Sequence, residues 1–567
     1  MAQESSVPAM TPPGPGDPIP VPPDFPVDWA GAGDEKAFWM LDRMHFPRPL
    51  TPLGASLLEV AIGPALAAAM ADSPAPMDAR MRAINGYMYM AMAPLPPPPD
   101  AAERGARQQE ELMQMLPRIG EVWENVWLPE VQENLRFWEG FDLDGASQSE
   151  LIAHLDESIA RFKRVWTIHM TVVFPVHLAM QLFDDMYRDL FGDEDRFGAY
   201  RLTQGFDNKT LEGDRALWAL SRQALAEPAV RSIVEEQAAA DVMPALEAEP
   251  AATEFLAALQ AYLDEYGQRG PDYDEVGEPS WIEDPTPAIL RIKDFMGQAD
   301  RDLAAELDAR ATEREEAMAA VREQLGSYPE PVVQQFEALL AAAQQSTVLT
   351  EVHNFWIDFR SVYRMRRLFL TAGRQLAEAG VIADANDVFY LTIGEVRRSL
   401  EDPTADLRAL VAKRKAEHRH QGELQAPPAL GTMPPGAPPD DPMTRSNMNF
   451  FGAPPPPPTD PGTLRGAAGS PGTARGTARV IRSLVDGDKL EIGDILVTEA
   501  TAPPWSSLFA RAAAIVTDTG GILSHCSVVA REYGIPAVVG TGMGTAMIRD
   551  GQEIEVDGST GTIRLLE

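Results

Sequence analysis

The residue best placed to do chemistry is His525, in the run Thr519-Gly520-Gly521-Ile522-Leu523-Ser524-His525-Cys526. An imidazole nitrogen is a competent nucleophile near neutral pH, because its unperturbed pKa is about 6.5. The setting sharpens that chemistry. The apolar run 512–517 reads as a buried strand, and Gly520-Gly521 supplies a turn. Ser524 is a candidate N-cap for a helix that Gly534 and Pro536 end. His525 therefore falls in a first helical turn, where free N–H groups and the positive end of the helix dipole hold anions. A phosphoryl group carried on the ring would sit among those donors. The alternative for any single histidine is a packed or capping side chain. Cys526, the one cysteine of the chain, reads as a small helix residue.

A second polar cluster is Glu351-Val352-His353-Asn354-Phe355-Trp356-Ile357-Asp358, inside a long helical pattern that continues through Arg360, Arg364, Arg366 and Arg367. Glu351, Asn354 and Asp358 recur at spacings of three and four, so they occupy neighbouring helix faces with His353 beside them. A carboxylate near an imidazole raises its basicity and suits it to take a proton from a hydroxyl. The arginines could meet phosphoryl charge. A solvated helical face with a packed histidine is the competing reading. His45, in a Pro-rich turn, is a candidate pocket wall. His169 and His177 stand eight apart on an apolar helical stretch, which reads as core. None of the histidines forms a metal-ligand set by spacing.

These residues must be positioned by two kinds of structure. Residues 28–425 are rich in Ala, Leu, Glu, Arg and Met, with apolar positions recurring at three and four; 121–138, 148–191, 286–326 and 328–379 are helical stretches, and strand candidates are few. Residues 467–567 change to short strands, at 478–484, 494–499, 512–518, 537–540, 553–557 and 562–566, with short helices between them. The fold class is therefore multidomain: a mainly α-helical domain followed by a compact α/β domain. Between them, 426–466 holds Pro427-Pro428, Pro434-Pro435, Pro438-Pro439 and a run of five prolines from Pro454. It is expected to form no helix and to act as a flexible tether. Residues 1–27 read as a disordered Pro-rich tail without a signal pattern.

Composition excludes several classes. The 567 residues carry 48 Lys and Arg against 85 Asp and Glu, a formal net charge of −37. That argues against nucleic acid and anionic membranes as partners. A single cysteine excludes a disulfide framework and suits the cytoplasm. No apolar run in the sequence approaches the roughly 20 residues of a membrane span.

The stretch around His525 resembles the swivelling phosphohistidine domain of the phosphoenolpyruvate synthase and pyruvate phosphate dikinase superfamily. Gly520-Gly521, Ser524-His525, Val529-Ala530-Arg531-Glu532, Gly534-Ile535-Pro536-Ala537-Val538, Asp550-Gly551-Gln552 and Val556-Asp557-Gly558 carry the resemblance. It implies that His525 is a phosphoryl carrier that swings between two sites, with Thr519, Gly520, Gly521, Ser524 and Arg531 as its phosphate cradle. The helical region is similar to the acceptor-binding domain of rifampin phosphotransferases, through Phe38-Trp39, Asp42-Arg43, 45–53, 85–89, 205–210 and 387–392. That pattern has an Arg and a Lys where this chain has Glu351 and Phe355. The departure counts against rifampin as acceptor and makes His353, aided by Glu351, the candidate base.

The sequence shows no Gly-rich phosphate loop and nothing resembling an ATP-grasp domain, and it ends at Glu567 without a pyruvate-binding barrel. The resemblance thus implies a split enzyme, in which a separate ATP-grasp subunit loads His525 from Mg-ATP, releasing AMP and phosphate. No metal or organic cofactor is expected on the chain itself. Split phenylphosphate and 4-cresol phosphate synthases resemble this arrangement and imply a small aromatic hydroxyl substrate. Trp39, His45, Tyr87, Tyr89, Asn354, Phe355 and Trp356 are the candidate acceptor-binding residues. Two alternatives are an antibiotic-inactivating phosphotransferase and a non-catalytic phosphocarrier.

Overall fold

Helices dominate the first three-quarters of the chain because its sequence favours them, yet the element that shapes the site there is a sheet. The computed structural model describes residues 14–566, apart from 32, 72–76, 96–99, 271–274, 299–301, 458, 459 and 461. Strands β1 (Phe38–Leu41), β2 (Met77–Ile84), β3 (Tyr87–Pro94) and β4 (Ala429–Gly431) form an antiparallel sheet in the order β2-β3-β1-β4. Asn85 and Gly86 join β2 to β3, both with positive φ, as a tight hairpin turn requires. The sequence reading expects few strands here, because Met and Ala fill β2 and β3 and both favour helix.

The helical scaffold is built on α1 (Gln148–Phe191), α2 (Lys209–Ala226), α3 (Thr286–Gly297), α4 (Leu303–Leu325), α5 (Glu330–His353) and α6 (Arg360–Glu378). Ser147 and Glu150 cap α1 reciprocally. Between α5 and α6 the turns widen into a π-helical segment, Asn354–Phe359. Such widenings re-aim side chains and recur at functional sites. Helix α5 packs along α1, and the main apolar core lies between these helices and one face of the sheet. A smaller core gathers α2, α3 and the helix Thr253–Tyr266. Two helices, Pro52–Ala71 and Gln148–Phe191, are long and apolar enough to cross a membrane, contrary to the sequence reading. More than half of the most apolar window of each is buried within the protein, at 56% and 61%.

The proline-rich stretch is not a bare tether. Strand β4 pairs with β1, and residues 442–451 form a helix, α7 (Pro442–Phe451). Proline does not prevent it, because Pro442 stands at the first helical position, where no N–H is needed. Asp441 caps the helix through Thr444, and Arg445 and Asn449 tie it to Asp185 and Gln181 of α1. Exposed residues 453–457 follow. The N-terminal tail is likewise ordered where described: Pro18 bridges to Thr432, and Phe25 is buried against Tyr87 and Tyr89. Residues 1–13 lie outside the described residues.

The C-terminal domain is an eight-stranded sheet in the order β5-β12-β11-β7-β8-β9-β10-β6. Its strands are β5 (Thr463–Arg465), β6 (Ala467–Ser470), β7 (Thr473–Val480), β8 (Ile495–Thr498), β9 (Ala514–Thr517), β10 (Ala537–Val539), β11 (Glu553–Asp557) and β12 (Thr562–Leu565). Strands β7 to β10 are parallel and the rest antiparallel. Because β5 and β6 are separated by Gly466 alone yet end opposite sides of the order, the sheet must curl on itself. Helix α8 (His525–Tyr533) follows β9. His525 thus stands beyond the C-terminal end of a parallel strand, where α/β sheets bind ligands.

Candidate active site

The loop after β9 is shaped to present His525. Gly520 adopts φ +92, which only glycine takes without strain. Thr519 donates its hydroxyl to Glu499 O at 3.0 Å, and Ser524 donates to Gly521 O at 2.7 Å. Ser524 has the extended backbone of an N-cap, but its hydroxyl does not accept from the first turn. Both hydroxyls, expected to face a phosphate, instead brace the loop. Arg531 is also not in the cradle. It is buried one and a half turns along α8, donates to Gly469 O and Ile522 O at 2.8 and 2.9 Å, and stacks over Tyr200. Burial pushes Arg531 down to about 10. Burial also pushes the Cys526 thiol up to about 12, so it is no nucleophile at neutral pH.

The cradle meets α7. Gly520, Gly521 and Leu523 donate their N–H groups to the carbonyls of Phe451, Phe450 and Asn449 at 3.1, 3.0 and 2.7 Å. A β-carbon on Gly521 would lie 2.2 Å from Asn449 O, so this docking needs glycine. The stretch read as a linker is therefore a lid over the histidine loop.

The structure brings His525 onto the second cluster. His525 Nδ1 lies 3.1 Å from Glu351 Oε1, and Thr210 donates to Glu351 Oε2 at 2.6 Å. Thr210 is placed by Asn208, which caps α2 through the Thr210 and Leu211 N–H groups. Glu351 and His525 are only 2% and 3% exposed. Burial raises the Glu351 carboxyl, but the His525 charge and the hydrogen bonds from His525 and Thr210 outweigh it and hold the group below its ordinary value. A buried carboxylate is tolerated when it is paired and hydrogen-bonded in this way. Glu351 thus serves His525, not His353 as the sequence reading had it. With Nδ1 so occupied, His525 Nε2 is buried without a hydrogen-bond partner among the described residues.

His525 borders a partly open cavity of about 930 Å3, a volume that takes in space open to solvent. The apolar wall includes Phe46, Trp166, Phe174, Phe450, Phe451 and the methionines 44, 81, 90, 92 and 170; the polar lining includes Asp42, His45, His169, His177, Thr350, His353, Asn354 and Asn447. Of the acceptor-binding candidates, His45 and Asn354 line it, and so does His353. Trp39, Tyr87 and Tyr89 do not. On β3 side chains alternate between faces: Met90 and Met92 reach the cavity, while Tyr87 and Tyr89 pack with Trp39 and Phe25 on the other side. Tyr89 donates to Pro427 O and Trp39 to Asp34 O, both at 2.8 Å, as buried polar tips must. Phe355 and Trp356 also lie outside the wall, with Arg360 over both rings at 4.5 Å.

Burial, then the neighbouring His169, pushes His353 down to about 4, and burial pushes His177 to about 3. Both are neutral at physiological pH. His353 Nδ1 donates to Leu349 O at 2.6 Å. His169 Nδ1 lies 2.8 Å from Asp358 Oδ1. The ligand atoms of His169, His353 and Asp358 lie within 4.8 Å of one another, a group that spacing in sequence could not reveal. His169, His177 and Phe450 are site residues missed in the sequence. Histidines on an apolar helix look like core, and Phe450 falls in the stretch read as a linker.

Two segments decide the family. Residues 169–351 match the fourth domain of rifampicin phosphotransferase, and residues 490–561 match the mobile domain of PEP-utilising enzymes. The chain belongs to the PEP-utilising superfamily. Its mobile domain carries His525, and its fourth-domain match runs from His169 to Glu351. The chondramide synthase cmdD of Chondromyces crocatus is 40% identical over 560 residues, 97% of this chain and 14% of that protein. The uncharacterized phosphotransferase YvkC of Bacillus subtilis is 33% identical over 70% of this chain and 47% of its own. A rifampicin phosphotransferase of Streptomyces sviceus is 35% identical over 58% and 36%. The chain therefore spans less than half the length of each of these relatives.

Docking of the mobile domain carries its own titration. Glu532 of α8 accepts the Gly205 N–H, 3.0 Å from each oxygen. Tyr533 reaches Asp214, and Arg511 reaches Asp294. Burial pushes Glu532 up to about 7, against the opposing pull of the Gly205 N–H and of Arg531, Arg310 and Arg314. Undocking removes Gly205 and the α4 arginines, and a solvated glutamate titrates near 4.5. The docked state thus binds the proton more tightly, so docking is strongest below about pH 4.5 and weakens as pH rises through about 7. Proton affinity and docking are linked one to one, so a carboxyl moved from 4.5 to about 7 by docking strengthens docking at low pH by a factor on the order of 10². The docked fraction, followed by small-angle scattering, is expected to fall between pH 5 and pH 8, and E532Q should flatten that dependence. An equal pH response in E532Q would reject the assignment.

Proposed function

We propose that this chain is a phosphotransferase component that carries a phosphoryl group on His525 Nε2 and passes it to a hydroxyl of an apolar acceptor held in the adjoining cavity. The observation that carries this reading is the buried, unpartnered Nε2 at the wall of that cavity, on a ring whose Nδ1 is held by Glu351. A phosphocarrier that only docked on partner proteins would have no use for a mainly apolar cavity at its reactive nitrogen.

In loading, the β-phosphoryl group of ATP passes to Nε2 as its bond to the α-phosphate oxygen breaks, and water takes the γ-phosphoryl group, so that AMP and phosphate are the products. A buried imidazole cannot meet a nucleotide, so loading requires the mobile domain to leave the cavity. Exposed residues 453–457 supply the hinge. We assign Mg-ATP to a separate ATP-grasp subunit. In transfer, the acceptor oxygen attacks phosphorus, the N–P bond breaks, and its electron pair returns to Nε2. Glu351 favours the Nδ1-protonated phosphoimidazole, whose departing imidazole is neutral and therefore a good leaving group. Lid residues Phe450 and Phe451 exclude water that would hydrolyse the phosphoramidate.

The acceptor we favour is aromatic, of the phenol or 4-cresol type, because Phe46, Trp166, Phe174, Phe450 and Phe451 line the chamber. A second reading, a larger antibiotic-type hydroxyl compound, draws on the chamber volume and on the rifampicin phosphotransferases among the relatives. The test is to phosphorylate the full chain with phosphoramidate and follow loss of the added phosphate by intact mass, with 4-cresol, 2-naphthol or rifampicin present. Discharge to a phenol supports the aromatic reading, and discharge to rifampicin alone supports the second. A phosphoprotein that none of these compounds discharges faster than water does would reject both. Cytoplasmic location follows the same proposal, since ATP is the donor.

A further inference from the structure

The proton of the acceptor hydroxyl has to go somewhere, and the cavity wall offers four histidines. His353 and His177 lack a carboxylate partner among the described contacts, and burial makes both poor proton acceptors. His45 pairs with Asp42 at 2.7 Å, but its side chain is 25% exposed and faces the lid rings of Phe450 and Phe451. His169 differs from all three. Its ring is buried, and its Nδ1 lies 2.8 Å from Asp358 Oδ1, whose side chain is 3% exposed. A carboxylate only accepts, so Nδ1 carries the ring proton and Nε2 keeps its lone pair. His169 and His525 line the same chamber. The His169 ring centroid is 4.9 Å from that of His353, two residues along α5 from the Glu351 that holds His525.

The local fold explains how the pair forms. His169 projects from α1, and Asp358 comes from the π-helical segment after α5. In that segment Asn354 faces the cavity and Asp358 turns to α1, while Phe355 and Trp356 stay with Arg360. The groups facing His169 are Asp358, His353, His177 and the Trp166 ring.

Resting on the phosphotransfer reading, we propose that His169, oriented by Asp358, is the general base that takes the acceptor proton. As the acceptor oxygen bonds to phosphorus and the N–P bond to His525 breaks, the O–H bond breaks and its proton passes to His169 Nε2. The imidazolium so formed is balanced by the Asp358 carboxylate and later returns its proton to water. His169 is the catalytic residue of this step, and Asp358 is a positioning residue.

The test uses acceptors that differ in whether they need a base. Full-length chain, phosphorylated with phosphoramidate, is discharged at pH 8 with 4-cresol, which is protonated there, and with 4-nitrophenol, which is ionised. H169Q should slow transfer to 4-cresol by about 10²-fold or more, within the range for a lost general base, and leave transfer to 4-nitrophenol within about twofold of the parent. D358N should follow the same pattern more weakly, and D358E should recover part of the 4-cresol rate. Equal slowing of both phenols would make His169 structural and overturn the proposal, as would no slowing of either. A second measurement needs no acceptor. Imidazole 15N NMR at neutral pH should show His169 protonated on Nδ1, with that preference lost in D358N. Finding Nε2 protonated in the parent chain would overturn the proposal. If no phenol discharges the parent phosphoprotein, the aromatic acceptor reading falls and the tautomer alone decides the base assignment.

Discussion

His525→Ala will take up no phosphoryl group, whether from phosphoramidate or from Mg-ATP with a competent ATP-grasp subunit. The expected loss is complete, because in the proposed function His525 Nε2 is the atom that forms the N–P bond. Of the other cavity histidines, burial makes His353 and His177 poor nucleophiles, and none of them stands at the start of α8 beside the glycine loop. The mass of the intact chain reads the result directly. A phosphate-sized gain that survives in H525A would move the carrier to another residue and remove the basis of the proposed function. The fold should persist, since α8 keeps its other packing residues and His525 makes, among the described residues, a single side-chain hydrogen bond, the one to Glu351. That one contact has its own cost. Removing the imidazole leaves the Glu351 carboxylate buried with Thr210 alone, and Glu351 should then take up a proton more readily than in the parent.

Glu351→Gln should load and then fail to deliver. The amide can still accept from Nδ1, so the ring keeps its orientation, but it brings no negative charge to favour the protonated phosphoimidazole. A loss of about 10²–10⁴-fold in transfer rate is expected, the range seen when the acidic partner of a reactive histidine is made neutral. Single-turnover discharge of the phosphoprotein separates this from loading. The pH dependence has a definite sign. Glu351 titrates below its ordinary value in the docked state, so its contribution is present above about pH 4.5 and is lost as pH falls through the lower, docked value. E351Q should lack that acid limb. Transfer in E351Q at the parent rate, with the acid limb intact, would show that Glu351 only packs against the ring.

Much of this was legible along the chain because it depends on neighbours in sequence. The strand, the glycine pair, Ser524 and the break at Gly534 placed His525 at a helix start, and Ser524 does adopt the extended backbone of a cap. Helix periodicity marked the scaffold, and the spacing of Glu351, Asn354 and Asp358 marked a polar seam. The hairpin of β2 and β3 had a readable signal in Asn85-Gly86, but the Met-rich strands around it masked the alternation of period two. That alternation separates Met90, on the cavity, from Tyr89, on the opposite face.

What the sequence by itself determined was the place of His525 at a helix start and the two kinds of domain, since local backbone preference and apolar periodicity fix a helix start and a helix face. Only the tertiary structure decided which groups meet. Glu351 is 174 residues from His525, His169 is 189 from Asp358, and the lid carbonyls of residues 449–451 reach a glycine loop some 70 residues on. Contacts at such separations are set by how helices pack and how a sheet curls. A carboxylate therefore becomes the partner of one histidine and not of its nearer neighbour in sequence, because the docked fold leaves it a single well-hydrogen-bonded place to keep its charge.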